Sequence, residues 1–189
     1  RLRRCHARSN AAEMAARSVT STNVGQDPSP DRLAPSAQRV LDAAEALGLS
    51  IEIRDFPEGT RTAEDAARAV GVAVGQIVKS LVFLADGQPI VCLVSGSHRV
   101  DTARLANTIG AGTIGRADAD AVREATGYAV GGVPPFGHVQ PLPVYFDRDL
   151  LAFDVVWAAA GTPMNVFSVE PNVLITACKA TVIDLKETA

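Results

Sequence analysis

Apolar and polar positions follow regular spacings from about residue 35 onwards, and these spacings predict a series of helices and strands. The segment after Pro35 places its apolar residues on one helical face, with Ser36 as the predicted N-cap. Two further helices are predicted after the capping residues Thr62 and Asp101, and another spans roughly 118–125. Each of these helices is predicted to end at a glycine, the residue that best adopts the left-handed conformation of a helix end.

Runs rich in β-branched residues predict the strands. Residues 77–84 and 90–95 flank Asp86-Gly87, the signature of a tight hairpin. Ile51 and Ile53 indicate a short strand before the hairpin. Later strands are predicted near 143–146, 154–159, 165–169 and 181–185, with a short helix after Pro171. The hairpin and the crowded late strands argue against a purely parallel sheet, so the predicted class is α/β of the mixed α+β kind.

The composition fits an ordinary globular domain. The chain has 189 residues, 47% of them hydrophobic, which is enough for one sizeable core. It contains no run of apolar residues long enough to cross a membrane. With 18 basic and 21 acidic side chains the formal charge is −3, which argues against broad electrostatic binding to DNA. The three cysteines show neither metal-ligand spacing nor a disulfide framework, and the N-terminus lacks a secretory apolar stretch, so cytoplasm is the expected location.

Residues 1–33 differ from the rest of the chain. They are rich in arginine, serine and threonine and hold few large apolar side chains, so they cannot offset the entropy of ordering by burial. We therefore expect a flexible N-terminal arm over 1–33 and one folded domain over 34–189. An RNA-binding role for the arm is the alternative to a plain tail.

Lys79 is the residue that most strongly suggests chemistry. It stands in an otherwise apolar strand, where Ile77, Leu81 and Phe83 share its face. Burying an ammonium costs on the order of several kcal/mol unless an anion or hydrogen-bond acceptors meet it. Two interpretations stay open: the stem packs while the head reaches water, or the head lines a pocket and contacts a phosphate or carbonyl oxygen.

The Gly/Pro-rich run 131–138 is the second candidate. Gly131 and Gly132 let a ligand approach the main chain closely. Pro134 and Pro135 have no N–H, so free main-chain donors are predicted at residues 131–133. Such donors can hold a carbonyl oxygen or a developing oxyanion. A structural turn between strands is the alternative.

The remaining candidate features give weaker indications of a functional site. The run 158–165 combines small residues with a turn, which makes room for a substrate or lets two elements pack closely. His98, His138 and the acidic turn 147–149 are expected to be ordinary surface groups. The sequence shows no Ser-His-Asp order, zinc-ligand spacing, phosphate loop or dinucleotide fingerprint, so neither a metal nor a cofactor is expected.

Three segments together resemble the YbaK family of aminoacyl-tRNA editing domains, which also occurs inserted in bacterial prolyl-tRNA synthetases. The segments are Val78–Leu81, Thr126–Gly137 and the late loop that contains Gly161. The resemblance extends over about residues 35–185. It implies a mostly antiparallel mixed sheet, curled into a partial barrel with flanking helices. It also implies hydrolysis of amino acids wrongly attached to tRNA, chiefly tRNA-Pro.

The resemblance further implies the site residues. The family's lysine falls on Lys79, and its glycine-proline loop begins at Gly131; these two are the predicted catalytic residues. The predicted substrate-binding residues are Ser80, Gly132, Val133, Pro134, Pro135, Gly161 and Thr162.

Two departures from the family pattern concern specificity. Pro134 stands where members close to the Cys-specific deacylase have serine, and residues 164–166 supply no late-loop aspartate. The amino acid removed is therefore left open, as is the oligomeric state.

The predicted function is trans-editing hydrolysis of a small amino acid mischarged on tRNA, by carbonyl positioning and water attack. The predicted partner is the acceptor end of the mischarged tRNA, with prolyl-tRNA synthetase or an elongation factor as candidate helpers. One alternative is a non-catalytic module that binds an aminoacyl or nucleotide group in the same pocket. Another is an unrelated hydrolase of activated esters.

Overall fold

The computed structural model describes residues 33–56 and 62–187, and within these ranges the chain forms five α-helices. They are α1 (Pro35–Ala46), α2 (Ala63–Val70), α3 (Thr102–Ile109), α4 (Ala119–Thr126) and α5 (Pro171–Cys178). The side chains of Thr62, Asp101 and Asp118 accept a hydrogen bond from the main chain three residues on, so they cap α2, α3 and α4. Single turns of 3-10 helix cover Val74–Gln76 and Arg148–Ala152.

The start of α1 differs from the expectation. The prediction of Ser36 as the cap is wrong, because the helix already begins at Pro35 and no described side chain caps it. Proline suits this position, since its fixed φ matches the first helical turn and its missing N–H has no partner there in any case. The predicted arm, 1–33, lies almost wholly outside the described residues, so the arm and the domain boundary at residue 34 stay predictions.

Eight strands of the described residues form one mixed sheet. They are β1 (Ile53–Asp55), β2 (Ile77–Ala85), β3 (Gln88–Ser95), β4 (Ile114–Arg116), β5 (Val144–Asp147), β6 (Val156–Ala159), β7 (Asn165–Val169) and β8 (Thr181–Ile183). The strand order is β1-β7-β6-β2-β3-β5-β8, and β4 also pairs with β2. Four pairings are antiparallel and three, β2–β6, β3–β5 and β5–β8, are parallel. The predicted mixed class is confirmed, and the sheet is not closed.

Helices cover both faces of this sheet. Val78 and Val82 of β2 pack in the largest apolar cluster, to which α1, α4 and α5 also contribute. On the opposite face Phe83 packs with Leu105 of α3, and Ile77 packs with α2. Strand β2 is therefore packed against other elements on both faces. Among the described residues no helix has the length and apolar character needed to cross a bilayer.

Candidate active site

A pocket of about 410 Å³ opens at one edge of β2. Strand β3 pairs with β2 from Val78 to Ala85. The other edge of β2 pairs with β6 only at residues 77–78 and with β4 only from Phe83 onwards. Residues 79–82 therefore border a gap in the sheet, and all four line the pocket. The remaining lining is largely apolar and includes Ala63, Ala66, Val122, Val130, Trp157, Ala158, Ala159 and Val166.

The ammonium group of Lys79 is held by the main chain. This residue is half-buried, and its Nζ donates hydrogen bonds to the carbonyl oxygens of Gly96, at 3.1 Å, and His98, at 2.5 Å. Burial lowers the pKa of Lys79 below its ordinary value of 10.5, and the negative charges of Glu64 and Asp147 oppose this effect. The head of Lys79 therefore does not simply reach water: main-chain carbonyl oxygens of this chain accept from it, while the residue itself borders the pocket.

The glycine loop lies on the same pocket as Lys79. Gly131 and Val133 line it, and Gly131 has a φ of +88°, a conformation that favours glycine. Within the described residues the N–H groups of Gly131 and Val133 have no hydrogen-bond partner. The N–H of Gly132 is not free, because it donates to the carbonyl oxygen of Ala129 at 3.0 Å. Two of the three predicted donors therefore have no partner among the described residues.

Gly132 joins the glycine loop to the late loop rather than lining the pocket. A Cβ atom at this position would lie 2.7 Å from Cα of Thr162 and 3.0 Å from the carbonyl carbon of Gly161. This close approach of two main chains requires glycine. Thr162 itself is occupied within its turn, where its Oγ1 accepts hydrogen bonds from the N–H groups of Met164 and Asn165.

Gly161, predicted to bind substrate, does not line the pocket. A Cβ atom on Gly161 would lie 2.5 Å from the carbonyl oxygen of Ser36, so this glycine packs against the start of α1. Ala160 is fully buried in the core. Ala158 and Ala159 of β6 line the pocket in their place. Of the nine predicted site residues, four line the pocket: Lys79, Ser80, Gly131 and Val133.

The two prolines of the glycine loop lie away from the pocket, and side chains from outside the pocket hydrogen-bond to their carbonyl oxygens. Pro134 and Pro135 are buried and do not line the pocket. His138 Nε2 lies 2.8 Å from the carbonyl oxygen of Pro134, and the Cys178 thiol donates to that of Pro135 at 3.3 Å. Burial lowers the pKa of His138 below 6.5 and raises that of Cys178 to about 12. His138 therefore supports the glycine loop through a hydrogen bond, and it is not the surface side chain expected from sequence.

His98 is also largely buried, contrary to expectation. Its Nδ1 lies 2.8 Å from Oδ2 of Asp147, whose side chain is 1% exposed. The same carboxylate accepts a hydrogen bond from the N–H of Ser95 at 3.1 Å. His98, Asp147 and Asp149 are the described residues whose spacing suits a metal ion. Protein donors already occupy Asp147, and the Lys186 ammonium lies 3.5 Å from Asp149, so we assign the cluster a structural role.

Comparison with known proteins assigns the chain to a family. The sequence model of the aminoacyl-tRNA editing domain matches residues 57–177, and the chain belongs to this family. The crystal structure of a proposed trans-editing enzyme for prolyl tRNA synthetase is similar to it, with 47% sequence identity and a TM-score of 0.80. That similarity covers 83% of this chain and 100% of the other.

Two curated relatives show that similar sequences occur both in a small protein and as part of a much larger ligase. The uncharacterised protein YwhH of Bacillus subtilis is 31% identical over 124 residues, which is 65% of this chain and 78% of YwhH. The proline–tRNA ligase of Citrifermentans bemidjiense is 35% identical over 92 residues, which is 49% of this chain but 16% of the ligase. The chain thus corresponds to a small part of the ligase. It is a mixed α/β editing domain of the type associated with prolyl-tRNA synthetase.

Proposed function

We propose that this protein is a trans-editing deacylase, which hydrolyses the ester bond between a small amino acid and a mischarged tRNA. The tRNA in this proposal is tRNA-Pro, consistent with the relatives named above. The observation that carries the proposal is that Lys79 and the free N–H groups of Gly131 and Val133 border one pocket. The family membership and the similarity to a proposed trans-editing enzyme support it.

The chemistry requires positioning more than a strong nucleophile. An aminoacyl ester is already labile, so orienting its carbonyl and stabilising the developing negative charge can supply the catalysis. In our proposal the N–H groups of Gly131 and Val133 receive the carbonyl oxygen. Lys79 uses its remaining N–H to contact the terminal phosphate or the ester. Water, assisted by the neighbouring ribose hydroxyl, attacks the carbonyl carbon, and the products are the free amino acid and the tRNA with its hydroxyl restored.

The pocket walls suit a small side chain. Val133, Ala158 and Ala159 line it, so small and β-branched side chains form part of its wall. A synthetase pocket rejects a substrate one methylene smaller by only about 1–3 kcal/mol, so a second sieve of this size has a physical purpose. We propose alanine, serine and cysteine as the candidate substrates.

The charge of the chain bears on its partners. With a formal charge of −3, the protein has little general attraction for tRNA, so contact restricted to the acceptor end is expected, with few phosphates involved. Delivery of the substrate by prolyl-tRNA synthetase or by an elongation factor would compensate for this low affinity. Cytoplasm is the corresponding proposed location.

A non-catalytic binding module is the second candidate, and the late loop favours it. Residues 164–166 supply no aspartate where the family pattern has one, and Asn165, the first residue of β7, donates from its Nδ2 to Oδ1 of Asp55 at 3.0 Å. This amide holds β7 to β1 and cannot replace a carboxylate in the pocket. A module of this kind would bind charged tRNA without releasing the amino acid.

Deacylation of charged tRNA-Pro tests the proposal. Native protein, Lys79→Ala and Lys179→Asn are each incubated with alanyl-, seryl- and cysteinyl-tRNA-Pro. Lys179 is the control, since it is an exposed lysine at the end of α5 and its φ of 51° is one that asparagine tolerates. We expect the native protein and the Lys179→Asn variant to clear at least one substrate and Lys79→Ala to be strongly impaired.

The contrary outcomes separate the candidates. If the native protein clears none of the three substrates, or if Lys79→Ala matches it, the deacylase proposal fails. Saturable binding of charged tRNA without turnover would establish the binding module. Uncharged tRNA-Pro should compete with the substrate, and hydrolysis that it does not inhibit would indicate a general esterase.

A further inference from the structure

The direction of the main-chain groups along β2 is fixed by two hydrogen bonds. The N–H of Gly96 donates to the carbonyl oxygen of Ile77 at 2.7 Å, so Ile77 faces β3. The N–H of Ala117 donates to the carbonyl oxygen of Val82 at 3.4 Å, so Val82 faces the opposite edge. Because both main-chain groups of a strand residue point to the same side and successive residues alternate, the N–H and C=O of Ser80 point to the edge that β4 and β6 share.

Ser80 lies where neither neighbouring strand reaches. The pairing with β6 stops at Val78 and the pairing with β4 starts at Phe83, so Ser80 falls in the gap that opens into the pocket. Within the described residues neither its N–H nor its C=O has a hydrogen-bond partner. Its side-chain Oγ is buried and also lacks a partner. Such a concentration of unpaired polar groups at one residue is unusual in native proteins, and here it borders a pocket that can hold a ligand.

We propose that the main chain of Ser80 binds the α-amino acid part of the substrate as if it were a one-residue strand. The α-amino group donates to the carbonyl oxygen of Ser80, and the N–H of Ser80 donates to the ester carbonyl oxygen. This inference rests on the proposed deacylase function and extends it. Peptide segments pair with exposed strand edges in the same way, through one donor and one acceptor that point to the same side.

This pairing divides recognition between two sets of groups. The main chain of Ser80 binds the amine and the carbonyl that all aminoacyl esters share. Its N–H is a third hydrogen-bond donor to the ester carbonyl oxygen, beside those of Gly131 and Val133. The apolar lining, such as Val82 and Ala158, then reads the side chain by size. The amine is therefore required for acceleration whatever amino acid is removed.

A pair of esters that differ only in the amine tests the inference. Alanyl-tRNA-Pro and propionyl-tRNA-Pro carry the same acyl skeleton, and propionyl lacks the α-amino group. Each rate with enzyme is divided by the spontaneous hydrolysis rate of the same ester, because the amine itself activates the bond. We expect the acceleration of alanyl-tRNA-Pro to exceed that of propionyl-tRNA-Pro by at least about tenfold, the range for a hydrogen bond to a charged group.

The outcomes distinguish this inference from the proposed function. Equal acceleration of the two esters would overturn the role of Ser80 and leave the deacylase in place. No acceleration of any aminoacyl ester would overturn both. The Ser80→Ala variant keeps the main chain, so the preference for alanyl over propionyl should persist in it. A loss of that preference would assign amine recognition to the hydroxyl and overturn the main-chain pairing.

A measurement without turnover addresses the same contact. The protein labelled with ¹⁵N is titrated with 3′-deoxy-3′-(L-alanylamino)adenosine, an amide analogue that resists hydrolysis, and with its propionylamino counterpart. We expect the Ser80 amide proton to shift downfield on saturation with the alanyl analogue. The amide of Leu81 is the control, since it faces β3 and already lies within the ladder. Shifts of other pocket amides without a shift at Ser80 would contradict the pairing.

Discussion

His98 Nδ1 lies 2.8 Å from Oδ2 of the buried Asp147, and this pair supports the loop that holds Lys79. The carbonyl oxygens of Gly96 and His98 accept the hydrogen bonds of the lysine ammonium. The N–H of Ser95, just before that loop, donates to the same carboxylate. The position of Lys79 at the pocket therefore depends on a buried carboxylate from β5.

Replacement of Asp147 should destabilise the protein and impair the site. Asp147→Ala leaves the N–H of Ser95 and the ring of His98 without their buried acceptor, so we expect the free energy of unfolding to fall by about 2–5 kcal/mol. Asp147→Asn should cost less, since its amide oxygen keeps one acceptor. Denaturant unfolding measures both, with the exposed Asp154→Ala as control. An Asp147→Ala variant no less stable than the control would contradict this role.

The titration of Lys79 is the second prediction. Burial lowers its pKa below 10.5 in the folded protein, so we expect an NMR titration of the lysine ε-methylene groups to show a midpoint below that value. The signal is assigned by its absence in Lys79→Arg. Between the folded and unfolded pKa values the unfolded chain binds more protons, so the contribution of Lys79 makes the free energy of unfolding rise with pH. A midpoint at or above 10.5 would show that the ammonium is not desolvated.

Gly132→Ala tests the contact between the two loops. The new Cβ would lie 2.7 Å from Cα of Thr162, and main chain cannot move aside as a flexible side chain does. We expect a loss of about 1–3 kcal/mol in the free energy of unfolding, together with reduced deacylation, because the neighbouring Gly131 would shift. Gly115→Ala is the matched control, since its Cβ would meet nothing closer than the carbonyl oxygen of Leu84 at 4.0 Å. Equal effects of the two changes would exclude a tight loop contact.

The helices and the hairpin could be predicted from sequence because their signals are local. Thr62 and Asp118 cap the helices that their positions indicate, and Asp86-Gly87 joins two antiparallel strands. Strand β4 was missed, since Ile114 is its only large apolar residue and Ile-Gly-Arg carries no strand signal. It is held by its pairing with β2 and by the carboxylate of Asp86, which accepts from the N–H groups of residues 112 and 113.

The pocket could be predicted only in part. The unusual lysine and the diglycine each indicated a site, and Lys79 and Gly131 line the pocket, whereas Gly132 does not. The gap at Ser80 was not predictable, because it depends on where β4 and β6 stop pairing with β2, which no local pattern encodes. The packing of Gly161 was not predictable for a similar reason: its contact with Ser36 joins residues far apart in sequence.

The hydrogen bond behind the glycine loop gives the last prediction. His138 Nε2 faces the carbonyl oxygen of Pro134 at 2.8 Å, so this nitrogen carries the proton and the neutral ring donates. Burial lowers the pKa of His138 below 6.5, and as the pH falls below 6.5 the unfolded chain gains a proton that the folded protein does not bind. The contribution of the neutral His138 ring to the free energy of unfolding is therefore fully present above pH 6.5. It is lost as the pH falls from 6.5 through the folded-state pKa.

His138→Gln keeps an N–H donor but does not titrate, so its free energy of unfolding should depend less steeply on pH between 5 and 6.5 than that of the native protein. Denaturant unfolding across this range measures the difference, and parallel pH profiles for the two proteins would show that His138 is not buried as a neutral donor.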